Sequence, residues 1–357
     1  MLNIAVTGYY DTGSSAVLDL LAEFDGVSYA VGDRYEHYVF MAKAGLFDLE
    51  SRLYGKNSNY MIQDIAINDF IDEMYKQYKY DFGWYGSYKK YFGEDFKRLV
   101  DDFAAGISVT DGKKSLSHTV KVRFSPIKCL VQLGAKLLYN RKIYKWGRIY
   151  VHDRKPCRKL LVNREDFLAE ARKFVSGYFG LANNNGNDMI YDHLLFPEEC
   201  GSVNEFFDDN FRLIIVDRDP RDVYISGNYV FNLLSNGGAI PPFYKDVEGF
   251  CRDWKLRREK TLKNADSDKI LFLRFEDLIY DYENTVKKLA EFTGMDIKRH
   301  TDKKTKFIPE KSIDNTQFFM AVSDCDKDRE YIENALKDYL YDFPYDIGQK
   351  DRKWFNV

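Results

Sequence analysis

The sequence predicts an α/β fold, a parallel sheet flanked by helices, with a mainly helical insertion. Two observations carry this expectation. Short apolar runs at Leu2–Val6, Leu213–Asp217 and Lys269–Arg274 are the length of buried strands. Each is followed by a loop and then a helical pattern, the order that parallel strands joined by crossover helices require.

In chain order, Leu2–Val6 is the first strand, and Thr7 to Ser15 is a turn rich in Gly, Ser and Thr. Ala16 to Phe24 follows as a helix, because Val17, Leu18, Leu20, Leu21 and Phe24 recur at helical spacing. Val27 to Val31 is a second strand. Residues 40 to 185 are polar, aromatic-rich and mainly helical, and are expected to form an insertion or lid within one domain spanning 1–357. Asn183-Asn-Asn-Gly-Asn187 marks the loop that ends it. The strand Leu213–Asp217 then leads through Arg-Asp-Pro-Arg-Asp into a helix opening near Val223. The strand Lys269–Arg274 leads to a helix at Tyr282–Thr293, which Gly294 closes.

Composition narrows the function classes. The 357 residues are 45% apolar and 31% charged, ordinary for a globular protein with a sizeable core. The 27 Tyr and 27 Phe can enlarge that core or line a sugar or nucleotide pocket. A net charge of −3 gives no general attraction to nucleic acid, and no nucleic-acid partner is expected. The charge is unevenly spread, however. Residues 113–164 hold fifteen Lys and Arg against the single acid Asp153, interleaved with Leu130, Val131, Leu133, Leu137, Leu138, Tyr139 and Trp146. That mixture suits a solvated helix face, or a peripheral membrane or anionic-glycan contact. Cys129, Cys157, Cys200, Cys251 and Cys325 are odd in number, widely spaced and without a CxxC pair, as expected of reduced thiols in a cytoplasmic protein. The N-terminus reads as a strand rather than a signal peptide, and no apolar run approaches the ~20 residues of a membrane span.

Two motifs carry chemistry. Gly8-Tyr-Tyr-Asp-Thr-Gly-Ser-Ser15 lies between a strand and a helix, where backbone N–H groups and the helix dipole favour an anion. The Gly-Lys-Ser/Thr element of a Walker A loop is missing, and a plain turn with Ser14 or Ser15 capping the helix would look similar. In Asp217-Arg-Asp-Pro-Arg-Asp222, followed by Ser226, an Arg fork and an early helical hydroxyl suit a phosphate. A salt-bridged loop, with Arg218 and Arg221 paired to Asp217, Asp219 and Asp222, would use the same residues.

With these motifs the chain resembles the sulfotransferase family. Asp11-Thr-Gly-Ser-Ser15 is similar to the family's loop for the 5′-phosphosulfate, and Arg218-Asp-Pro-Arg-Asp222 with Ser226 to its 3′-phosphate motif. Leu273-Arg-Phe-Glu-Asp-Leu278 and Phe292-Thr-Gly294 are similar to a third family segment. The likeness covers residues 2–35 and 188–315. It implies a P-loop-kinase-like sulfotransferase fold and in-line transfer from 3′-phosphoadenosine 5′-phosphosulfate (PAPS) without a metal. By the same likeness Thr12, Gly13, Ser14 and Ser15 would hold the 5′-phosphosulfate, and Arg218 and Ser226 the 3′-phosphate. Asp11 stands where the family usually has Lys or Arg, so the cation that would stabilise the leaving oxygen must come from elsewhere.

An acceptor hydroxyl needs a base. His193, 25 residues before Arg218, is placed much as a catalytic His is in cytosolic members; Asp33, with Glu36 close by, is the competing candidate. Lys311 or Ser312, in a small basic cluster beginning at Lys303, could reach the nucleotide. The acceptor expected is a carbohydrate or cell-surface glycan precursor, with a small phenol or alcohol equally suited to His193. A phosphoryl transferase on the same kind of fold, or a non-catalytic nucleotide-binding relative, are the alternatives.

Overall fold

The protein is known from a computed structural model, which describes residues 1–32, 35–124, 126–139, 148–183, 185–230, 246–322 and 325–347. Among the described residues seven strands form two sheets: β1 (Asn3–Gly8), β2 (Val27–Tyr29), β3 (Ser108–Phe124), β4 (Arg148–Leu160), β5 (Asp188–Asp192), β6 (Phe211–Asp217) and β7 (Ile270–Arg274). The main sheet has the order β2-β5-β1-β6-β7, and every pairing in it is parallel. The expected parallel α/β sheet is therefore present, with β5 as a strand that the apolar-run criterion passes over.

Alternation along the strands divides the core into two layers. Ala5, Met189, Tyr191, Leu213 and Ile215 face one side. There they meet Phe70 of helix Tyr60–Lys79, Val100 of helix Tyr88–Ile107 and Phe174 of helix Arg164–Ala182. Ile4, Val6, Ile190, Ile214 and Val216 face the other side, against α1 (Ser14–Leu21) and the helix Tyr282–Thr293. Helical residues between 40 and 185 thus pack on one face of the sheet, together with Leu194, Val203 and Phe206. Gly294 ends its helix in the left-handed conformation, φ 73°, as the sequence predicts.

The second sheet lies within that same stretch. β3 and β4 pair antiparallel, with register shifts at Lys114, and a helix at Pro126–Tyr139 lies between them in sequence. Much of the basic run falls on these elements, while Trp146 lies outside the described residues. All five cysteines are unpaired. Among the described residues no helix is long and apolar enough to cross a membrane.

Candidate functional site

In the main sheet β1 lies next to β6, and the chain leads from β1 to β2 on one side but from β6 to β7 on the other. Such a switch point opens a crevice at the carboxyl ends of the strands. The register puts Gly8 beside Val216 and Val6 beside Asp192. The loops starting at Tyr9, His193 and Arg218 therefore emerge side by side. They border a cavity of about 680 Å³ whose lining includes Asp11, Thr12, Gly13, Ser14, Ser15, His193, Arg218 and Ser226. Of the residues singled out for chemistry, Glu36 and Ser312 also line it, whereas Asp33 lies outside the described residues.

The first loop is held by its own turn. Thr12, almost wholly buried, accepts the Tyr9 N–H at 3.2 Å through its hydroxyl. Gly13 takes φ 85°, and a Cβ there would collide with the Phe275 ring. Gly13 is also the N-cap of α1 and provides no side-chain cap, so neither Ser14 nor Ser15 caps the helix. Ser14, Ser15 and Ala16 in the first turn of α1 line the cavity, and no side chain caps the helix.

The second loop divides its two arginines between structure and cavity. Arg221 pairs with Asp219 at 2.8 Å and Glu333 at 3.2 Å and lies 4.0 Å over the Phe319 ring. It is the salt-bridged loop arginine. Arg218, only 5% exposed, is sandwiched between the rings of Phe275 and Phe318 at 5.1 and 5.5 Å. Its Nη1 donates to the Asp11 carbonyl at 2.9 Å and its Nη2 to the Asn315 carbonyl. Its Nε is buried without an acceptor among the described residues. The Asp11 carboxylate reaches the same place: Oδ2 accepts the Ser226 hydroxyl and lies 3.8 Å from Arg218 Nη1. Burial pushes the Asp11 carboxyl above the usual carboxylate range, against the pull of Arg218 and Ser226.

His193 stands at the end of β5 with φ 45°, its N–H on the Val6 carbonyl at 3.0 Å. Its Nδ1 is 2.6 Å from Asp192 Oδ1. Burial opposes the charged imidazole, but the bond to Asp192, that residue's charge and the charge of Glu36 together hold the pKa above the ordinary value.

Buried carboxylates fix the remaining wall. Glu23, fully buried, accepts the main-chain N–H groups of Lys304, Lys306 and Phe307 at 2.9–3.1 Å, and sits 2.9 Å from His300 Nε2. That arrangement sets Lys306 and Phe307 into the lining. Asp222 does the same for the segment after Asn315, accepting from Gln317 and Phe318 N–H at 2.7 and 2.6 Å. Burial raises its carboxyl to about 7. Glu276 accepts the Asp219 N–H at 2.6 Å and is likewise raised by burial, to about 8.

Sequence reasoning passes over Tyr38, Phe196 and Phe307, which also line the cavity. The only sequence signal for them is that each sits in or next to a loop, where binding residues concentrate. The cations in the described lining are Arg218, Lys306 and, when protonated, His193. Lys306 Nζ is committed to the Ala22 carbonyl at 2.8 Å, at the far end of α1 from Asp11. Asp217, at the end of β6, is engaged by Arg258 at 2.6 and 2.9 Å.

Comparison with known proteins bears on this arrangement. Residues 162–335 match the sulfotransferase domain family, a span holding β5, β6, β7, His193, Arg218 and Ser226 but not the first loop. Mouse Sulfotransferase 2A1 is 29% identical over 130 residues, 34% of this chain and 44% of that protein. Human Sulfotransferase 1E1 is 30% identical over 162 residues, 42% and 51% of the two chains. The chain spans about half the length of the curated relatives it matches. Among solved structures, sulfotransferase STF9 from Mycobacterium avium aligns over 98% of this chain and 78% of that one, with 9% identity and a TM-score of 0.39. The domain match and these relatives place a sulfotransferase domain in residues 162–335 of this chain.

Proposed function

We propose that the protein binds PAPS in this cavity and transfers its sulfuryl group to an acceptor hydroxyl on a carbohydrate. The observation that carries the proposal is the convergence of the Gly8–Ser15 turn, the Arg218–Ser226 pair and the His193–Asp192 pair on one cavity. The buried Arg218 Nε, without an acceptor among the described residues, fits a site made for an anion, because such donors are seldom left unpaired. The donor, when bound, supplies an activated sulfuryl group. The chain's own residues would then act in three ways. The N–H groups at the start of α1 and the hydroxyls of Ser14 and Ser15 hold the 5′-phosphosulfate. Arg218 and Ser226 hold the 3′-phosphate. His193, its Nδ1 on Asp192, takes the acceptor's proton at Nε2.

A carbohydrate acceptor is supported by the exposed aromatic faces of Tyr10 and Phe196, 58% and 37% exposed, which border the cavity near His193. The same proposal includes contact between residues 113–164 and an anionic glycan or membrane surface, supported by Ile127, Leu130, Val131 and Leu137 lying exposed at helical spacing. A cytoplasmic setting is supported by the five unpaired thiols. A second acceptor class, a small alcohol, is favoured by the relatives. One, 26% identical over 135 residues, is a guinea pig 3-alpha-hydroxysteroid sulfotransferase. Engagement of Asp217 by Arg258 weighs against metal-dependent phosphoryl transfer.

The test is sulfuryl transfer from labelled PAPS to a panel of glycans, sterols and phenols. Labelled glycan supports the proposal, and label confined to sterols or phenols replaces the acceptor class. PAPS binding with no transfer to any acceptor would leave a non-catalytic nucleotide-binding relative.

A further inference from the structure

We propose that Asp11 is an internal anion seated on Arg218 and Ser226, which a ligand's phosphate must displace, so that Asp11 sets the specificity of the site for a strongly charged group at that position. The proposal rests on reading Arg218 and Ser226 as the 3′-phosphate seat.

Three observations carry it. First, Asp11 engages with one residue the same two side chains that a phosphate would engage. Its carboxylate accepts the Ser226 hydroxyl and faces Arg218 Nη1 at 3.8 Å, while its carbonyl accepts the same Nη1 at 2.9 Å. Second, this is achieved in a left-handed backbone conformation, φ 53°, which a non-glycine residue adopts at a cost and which Asp and Asn tolerate best. Third, the seat is underfilled. Arg218 is 5% exposed, yet its Nε has no acceptor among the described residues, and the carboxylate meets the guanidinium at ion-pair rather than hydrogen-bond distance. A phosphate brings three acceptor oxygens and can take the donors that Asp11 leaves.

Displacement has an electrostatic consequence. Once a phosphate sits on Arg218 and Ser226, Asp11 loses both partners and faces an anion. Facing that anion, it takes up a proton. Its carboxyl starts above the usual range because of burial. Arg218 faces it from the loop after β6, Ser226 faces it uncharged from the following helical turn, and Tyr10 bears on it from its own turn. Lys306, Glu36 and His193 line the same cavity. With phosphate bound, a proton on Asp11 is held more tightly than in the free protein. Phosphate binding therefore strengthens as pH falls through the raised range in which Asp11 titrates, and this contribution is lost as pH rises.

The experiment is calorimetric titration of 3′-phosphoadenosine 5′-phosphate (PAP) and of ADP into the wild type, Asp11→Asn and Asp11→Gly, at pH 5.5 to 8 in two buffers of different ionisation enthalpy. Both substitutions suit the positive φ, and thermal unfolding verifies that each variant is folded. The expected result is a gain of roughly tenfold or more in PAP affinity in both variants, with ADP affinity little changed. Proton uptake on PAP binding, present in the wild type, is lost in both. Unchanged or weaker PAP affinity in both folded variants overturns the proposal while leaving the phosphate seat intact. If neither the wild type nor the variants prefer PAP to ADP, the seat itself is misassigned and the proposal falls with it.

Discussion

Replacing Glu23 by alanine removes the acceptor around which the far wall of the cavity is built. Glu23 receives three main-chain N–H groups, from Lys304, Lys306 and Phe307, and is bonded to His300 and Tyr282 as well. Lys304 and Lys306 are exposed, so water can replace the carboxylate at their N–H groups. Phe307 and His300 are buried, 3% and 4% exposed, and their donors would be stranded. Two stranded buried donors at ~1–3 kcal/mol each give a loss of about 2–6 kcal/mol. That is a large part of the ~5–15 kcal/mol by which a domain is stable. Urea unfolding should show a lowered midpoint with an unchanged slope. Glu23→Gln, which keeps one acceptor oxygen, should cost clearly less. A loss below ~1 kcal/mol in Glu23→Ala would refute the view that this carboxylate organises the 303–307 loop.

Other outcomes follow from the same geometry. His193→Ala should lower kcat by ~100-fold or more while leaving PAP affinity unchanged. With the neutral imidazole of His193 as the proposed base and its pKa raised, wild-type kcat should climb with pH through a value above the ordinary ~6.5. An unaltered kcat in His193→Ala would shift the base to Glu36 or Asp33. Gly13→Ala should destabilise by at least ~1–2 kcal/mol from its positive φ alone, and should weaken nucleotide binding as the Phe275 ring is pushed aside. Unchanged denaturant midpoint and affinity would show that the loop can rearrange freely.

Much of this was legible in the sequence where one property dominated locally. β1, β6 and β7 are short apolar runs, and Gly294 punctuates a helix whose apolar spacing is regular. β5 was not, because Asp188-Met-Ile-Tyr-Asp192 begins and ends on acids, one bonding the Leu2 N–H and the other His193. The β3–β4 pair was hidden by its charge. Val120, Val122 and Phe124 alternate with Lys121 and Arg123, a period of two that the basic run obscures. The motif residues Arg218 and His193 could be picked out because their surroundings in sequence are distinctive. Their environment could not: Asp11 meets Ser226 across 215 positions, and Glu23 meets Phe307 across 284. Such pairings are set by the order of strands in the sheet, which places the loop after β1 against the loop after β6. Local pattern carries no trace of them.

The central claim is that Arg218 and Ser226 form a seat for a 3′-phosphate. Calorimetric titration of the wild type and Arg218→Ala with PAP, beside ADP and AMP, tests it most directly. The account predicts tight binding of PAP, weaker binding of both nucleotides that lack the 3′-phosphate, and loss of that preference in Arg218→Ala. Equal binding of PAP and ADP by the wild type, or a preference that survives in a folded Arg218→Ala variant, would contradict it.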